Sequence, residues 1–73
     1  MDQLDLRGLK CPLPALMARK GLGGLAPGAA IWVVADDPMS VVDIPHMCDA
    51  EGHTLIESTQ GADGYRFLIR RRD

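Results

Sequence analysis

The sequence predicts an α+β domain with the element order βαβαββ, a four-stranded mixed sheet carrying two helices on one face. Three observations lead there. A continuous apolar run, Ile31–Ala35, is flanked by turn residues and reads as a strand buried in the middle of a sheet. Two strand-like segments, Thr54–Thr59 and Tyr65–Arg71, are joined by Gln60-Gly61-Ala62-Asp63-Gly64, a glycine-containing hairpin loop. A helical stretch separates the first two strands, and a right-handed crossover there places the helices together on one sheet face.

Each remaining element has its own signals. Gln3–Leu6 is a short opening strand. Cys11 to about Leu25 reads as a helix closed by the Ala26-Pro27-Gly28 turn. Pro12 falls at its first position, where a missing N–H is harmless, and Pro14 still lies in the first turn. Gly21, Gly23 and Gly24 are the weak point of this helix, each costing about 1 kcal/mol relative to Ala. Pro14, Ala18, Gly21 and Leu25 form one stripe, flanked by Met17 and Leu22, that belongs on the sheet. Asp36-Asp37-Pro38 opens a second helical region, Pro45 restarts it, and Gly52 closes it. In the last strand, Tyr65, Phe67 and Ile69 alternate with Arg66, Leu68 and Arg70, so one face packs on helices and the other shows arginines.

Seventy-three residues fit a single domain, residues 1–73, near the lower size limit for folding without staples. With 47% hydrophobic and 25% charged residues, the chain is composed like an ordinary globular domain and not like a disordered one. The longest apolar run, Ala29–Ala35, is too short to cross a membrane, and no signal-peptide pattern opens the chain. Two cysteines are too few for a disulfide scaffold and fit a reducing cytoplasm. A net charge of −2 argues against a dedicated nucleic-acid binder.

The residue best suited to chemistry is Cys11, in Cys11-Pro12-Leu13-Pro14 at the expected helix start. Unpaired N–H groups and the helix dipole favour a thiolate there, with the Leu13 N–H facing the sulfur. Arg7 and Lys10 add positive charge on the approach. The expected thiol pKa is accordingly below the free value of about 8.5, in the range of roughly 3.5–7.5 for activated cysteines. A thioredoxin-like centre needs a second thiol three residues on, and Pro14 occupies that position. Such a nucleophile suits accepting a group and handing it on, and sulfane sulfur held as a persulfide is one such group. A cysteine that merely caps the helix is the alternative.

The segment Leu4-Asp5-Leu6-Arg7-Gly8-Leu9-Lys10-Cys11-Pro12-Leu13-Pro14 resembles the signature of the TusA/SirA family of small sulfur-carrier proteins. The likeness continues through Arg19-Lys20, Pro27-Gly28, Ala35-Asp36-Asp37-Pro38, Asp43-Ile44-Pro45, Cys48 and Tyr65–Arg70, covering essentially the whole chain. The resemblance implies a two-layer α/β sandwich in which Cys11 carries a persulfide. It also implies a cysteine desulfurase or similar donor, a downstream sulfur-accepting protein, and tRNA thiolation as the best-known destination. Leu13 stands where some tRNA-pathway members carry an acidic residue, so the pathway stays open.

On the first helix, Arg19 and Lys20 point away from the buried stripe, and Leu16 and Leu13 share their face. Two leucines beside two cations, near the sulfur, read as a partner-docking patch. Cys48 lies with Ile44 and Met47 on the apolar side of the second helix and reads as core filler. Cys11, His46, Cys48 and His53 match no zinc spacing, so no metal and no cofactor is expected. The Arg70-Arg71-Arg72 run reads as a solvated strand end, and Asp36 and Asp37 as helix-capping residues. Two functions follow: a sulfurtransferase-type persulfide carrier, or a non-catalytic interaction or regulatory module on the same fold.

Overall fold

The computed structural model describes residues 3–73. Its elements are β1 (Gln3–Asp5), α1 (Leu13–Gly23), β2 (Ala30–Ala35), α2 (Ser40–Glu51), β3 (Thr54–Gly61) and β4 (Gly64–Arg70). The sheet runs β1-β2-β4-β3. β1 and β2 are parallel, while β4 is antiparallel to both β2 and β3. This is the expected βαβαββ sandwich with a mixed sheet.

Register explains where the core lies. Leu4 pairs with Val33 and Val33 with Phe67, and Ile31 and Leu55 flank Ile69, so these side chains share one face. They meet Ala18 and Leu22 of α1 and Ile44, Met47 and Cys48 of α2 in one cluster. Val33, Phe67 and Ile69 are fully buried, and burying each such side chain contributes about 1.5–3 kcal/mol. The other face is open, with the Arg66 guanidinium 5.5 Å above the Trp32 ring.

Several boundaries differ from the sequence reading, each for a local reason. α1 begins at Leu13, two residues late, because Pro12 takes the capping position instead of the first helical one. Pro14 is the second helical residue and is buried, as the expected stripe requires. The helix stops at Gly23, with the Gly24 N–H donating back to the last turn. A Cβ at Gly21 would lie 3.0 Å from Cδ2 of Leu4, a side-chain end that would have to shift slightly. Met17, placed beside the buried stripe by helical projection, is exposed.

α2 begins at Ser40, after a turn in which the Ser40 N–H donates to the Asp37 carbonyl at 2.9 Å. Pro45 does not restart it but sits inside a continuous helix. The Val41 carbonyl thereby loses its helical donor, at an exposed residue where water is available. Gly52 closes the helix in the left-handed conformation, as its φ of 80° requires. β3 runs two residues further than expected, so Ala62-Asp63 alone forms the turn between Gly61 and Gly64. A bulge between Leu55 and Glu57 leaves Ile56 exposed on this edge strand. The strand ends expected at Leu6 and Arg71 fall one residue outside β1 and β4, although both backbones still bond to their neighbours.

Gly64 fixes the end of β2 from which the functional loop is held. Its φ is 126°, and a Cβ there would lie 2.5 Å from the Ala35 carbonyl oxygen. Gly64→Ala is therefore expected to destabilise by more than about 2 kcal/mol, combining backbone strain with overlap. Gly61→Ala, which meets nothing within 4 Å, should stay within roughly 0.5 kcal/mol. Urea denaturation of both variants checks the contrast, and equal midpoints would contradict it.

Candidate active site

Cys11 is exposed at the end of the loop between β1 and α1. The loop is held by two carboxylates from the segment that follows β2. The Gly8 N–H donates to Oδ1 of Asp36 at 2.9 Å. The Cys11 N–H donates to Oδ2 of Asp37, whose Oδ1 accepts the Met39 N–H at 3.3 Å. Asp37 is buried, so one side chain fixes both the cysteine backbone and the turn into α2. The expected capping role of Asp37 is not seen: its side chain bonds the turn before α2, and the helix start carries no side-chain cap. Asp36 contributes no cap and secures the loop instead.

The expected activation of the sulfur is reversed. Among the first backbone groups of α1, Pro12 and Pro14 have no N–H, and the Leu13 N–H donates to the Lys10 carbonyl at 2.8 Å. The helix start thus offers the sulfur few free donors. Arg7 does not reach it with unpaired charge either. Its guanidinium is bidentate on Asp5, at 2.9 and 2.8 Å, and holds that carboxyl at about 2. Lys10 and Pro12, the neighbours of Cys11 in the chain, are exposed. The negative groups are better placed. Asp43 can accept a hydrogen bond from the thiol, and this, together with desolvation and the charges of Asp43 and Asp37, raises the Cys11 pKa. Carboxylates facing a thiol favour its neutral form.

The residues read as a docking patch all reach the surface. Leu13 and Leu16 are each 45% exposed, and Arg19 and Lys20 lie exposed beside them. Leu16 and Arg19 line a groove of about 280 Å³ between α1 and α2, together with Pro12, Ala15, Asp43 and His46. Arg19 approaches Glu51 across it at 4.0 Å. Sequence reasoning missed the second apolar flank, Met39, Val41 and Val42 at the start of α2. Its signal was available, since three apolar residues so closely spaced in a first turn cannot all face one sheet.

The remaining candidates lie elsewhere. Cys48 is buried in the core, with burial pushing its thiol up to about 11. His46 is exposed, and Nδ1 of His53 accepts the Arg72 N–H at 3.1 Å. Among the described residues, no three His, Cys, Asp or Glu side chains converge on a common point. Arg70 and Arg72 are exposed at the end of β4. No helix among the described residues is long and apolar enough to cross a membrane.

The two cysteines should separate cleanly by reactivity. Raising a thiol pKa delays thiolate formation, so iodoacetamide alkylation of Cys11 should show an inflection above about 8.5. Cys48 should react only through opening of the fold. Peptide-resolved mass spectrometry across pH checks both. A Cys11 inflection below 8 or faster reaction at Cys48 would contradict the assignment.

The chain can now be set beside known proteins. A family model described as Sulfurtransferase TusA matches residues 2–71. Among solved structures, the SirA-like protein from Desulfitobacterium hafniense is similar over 100% of both chains, at 25% identity and a TM-score of 0.81. The match takes in both the Cys11 loop and the carboxylates that hold it, and on this basis the chain belongs to the TusA family of sulfurtransferases.

Proposed function

We propose that this protein is a one-domain persulfide carrier in which Cys11 is the sulfur-bearing residue. The observation that carries the reading is an exposed thiol on an anchored loop, while the other cysteine is locked in the core. Family membership supports sulfur transfer in general. The carrier step is one exchange. The Cys11 sulfur attacks the terminal sulfur of a donor persulfide, forming a new S–S bond as the donor's S–S bond breaks. The bonding pair leaves on the donor cysteine, which ends protonated by the proton that Cys11 gives up. An acceptor nucleophile later takes the terminal sulfur by the same chemistry.

The donor in this reading is a cysteine desulfurase or similar protein, and the receiver is a downstream sulfur-accepting protein. Thiolated tRNA, a sulfur-containing cofactor and sulfur metabolism are the destinations such a relay serves. Leu13, Leu16, Arg19 and Lys20 form the docking face, with apolar anchors and positive charge beside the sulfur. Pro12 and Pro14 set the shape of the turn that presents it. Arg7 acts on the loop through Asp5 and not on the sulfur. The two free thiols support action in a reducing compartment, the cytoplasm.

Incubation with a cysteine desulfurase and cysteine should add one sulfur atom to Cys11, seen by intact-mass spectrometry and absent in Cys11→Ser. Arg19→Glu and Leu16→Asp should each slow uptake about 5-fold or more, the effect of about 1 kcal/mol of lost docking energy, with Cys11 alkylation unchanged. No sulfur on wild-type Cys11 would favour a non-catalytic interaction module. Unchanged uptake in both docking variants would move the docking surface off α1.

A further inference from the structure

Three of the chain's eight cationic residues, Arg70, Arg71 and Arg72, follow one another at the end of the last strand, and the carrier reading gives them no part. Together with Gly28, Gly52, Thr54 and Asp73 they line a cavity of about 550 Å³. Their backbone is fixed. The Arg71 N–H donates to the Ala29 carbonyl at 2.8 Å, and the Arg71 carbonyl accepts the Gly28 N–H at 3.1 Å. The Arg72 N–H donates to Nδ1 of His53 at 3.1 Å. Gly28 and Gly52 hold φ at 81° and 80°, so this part of the wall is bare backbone. The Arg72 side chain runs beside Gly52, its Cδ 3.5 Å from where a Cβ would stand. The other arginines are engaged elsewhere: Arg7 on Asp5, Arg19 towards Glu51, and Arg66 on Gln3 and over Trp32. Among the described residues, no carboxylate, that of Asp73 included, lies within ion-pair distance of Arg70, Arg71 or Arg72.

We propose that this cavity binds a small polyphosphate, free or carried by a nucleotide, through Arg70, Arg71, Arg72 and the Thr54 hydroxyl. Guanidinium groups match phosphate geometry with paired hydrogen bonds and stay charged at physiological pH. Three like charges lining one cavity repel one another, and a ligand with several negative charges relieves that cost. The volume falls within the range of about 300–1,000 Å³ usual for small-ligand sites. A nucleic-acid strand fits less well, because it needs a basic groove along its backbone and here the charges gather in one cavity. The site is remote from the sulfur. Arg70 pairs with Ala30 at the start of β2, while Asp36 and Asp37 hold the Cys11 loop beyond its end. A six-residue strand separates the two ends by roughly 20 Å. The ligand is held without any bond being made or broken. His53 stands beside the site and reports on it. Burial and the Arg72 charge hold its pKa below the usual value, so a bound polyanion should raise it.

The test uses the intact protein in metal-free buffer near physiological ionic strength, where charges more than about 8 Å apart are largely screened. Pyrophosphate, ATP and a short single-stranded RNA are titrated separately, with binding read by calorimetry and by the His53 ring resonances. Pyrophosphate should saturate a single site and move the His53 pKa upward. Arg70→Gln and Arg72→Gln should each weaken it about 10-fold or more, the usual worth of a charged hydrogen bond. Arg66→Gln removes an equal charge from the same strand outside the cavity and should stay within about 2-fold. Amide spectra of each variant show whether it is folded, which separates lost binding from lost structure. ATP binding at least as tightly as pyrophosphate would support a nucleotide-borne phosphate chain, and saturation by pyrophosphate alone would support a free one. Equal weakening in all three variants would reduce the effect to general charge and overturn the proposal. So would RNA binding without saturable pyrophosphate binding, or a His53 resonance that pyrophosphate leaves unmoved.

Discussion

The site depends on one buried carboxylate. Asp37 accepts the backbone N–H of Cys11 with one oxygen and that of Met39 with the other. It thereby ties the loop entering α1 to the turn entering α2. Hydrogen bonds to a charged acceptor are worth about 1.5–3 kcal/mol each, more than those between neutral groups. The position of Asp37 follows from the sheet. It lies two residues beyond β2, the strand paired to both β1 and β4, and Asp36 beside it secures Gly8. The cysteine is presented by a loop and yet held by the sheet.

Holding the loop with carboxylates has an electrostatic consequence. A helix start normally stabilises an anion through its free N–H groups. Here two of the first positions are prolines, and the intervening N–H is already paired with Lys10. The groups left to face the sulfur are negative, and they raise its pKa. A sulfur carrier built this way does not hold a permanently activated thiolate. Leu13 and Leu16 on α1, and Met39 and Val42 at the start of α2, remain exposed.

Much of this was legible in the sequence, and what was not has definite causes. Turn and Pro/Gly signals bounded both helices and the hairpin, the apolar run Ile31–Ala35 marked the central strand, and alternation in Tyr65, Phe67 and Ile69 gave the core face of the last one. The exposed and buried cysteines separated on helical position alone. Ends were less secure where short-range chemistry decides them. Pro12 takes the cap position and delays α1, and Pro45 sits mid-helix beside an exposed Val41. The electrostatics of Cys11 were misread because they are made by contacts far apart in sequence. Arg7 is consumed by Asp5 locally, whereas Asp37 and Asp43 arrive from beyond β2. An acidic pair at a strand end reads as a cap until the sheet brings the other loop against it.

The central claim is that Cys11 rests as a neutral thiol under carboxylate control. A pH titration by carbon NMR reads it directly, following the Cys11 Cβ. The account predicts a Cys11 transition above the free-cysteine value of about 8.5. A Cys11 transition near or below 7 would contradict it.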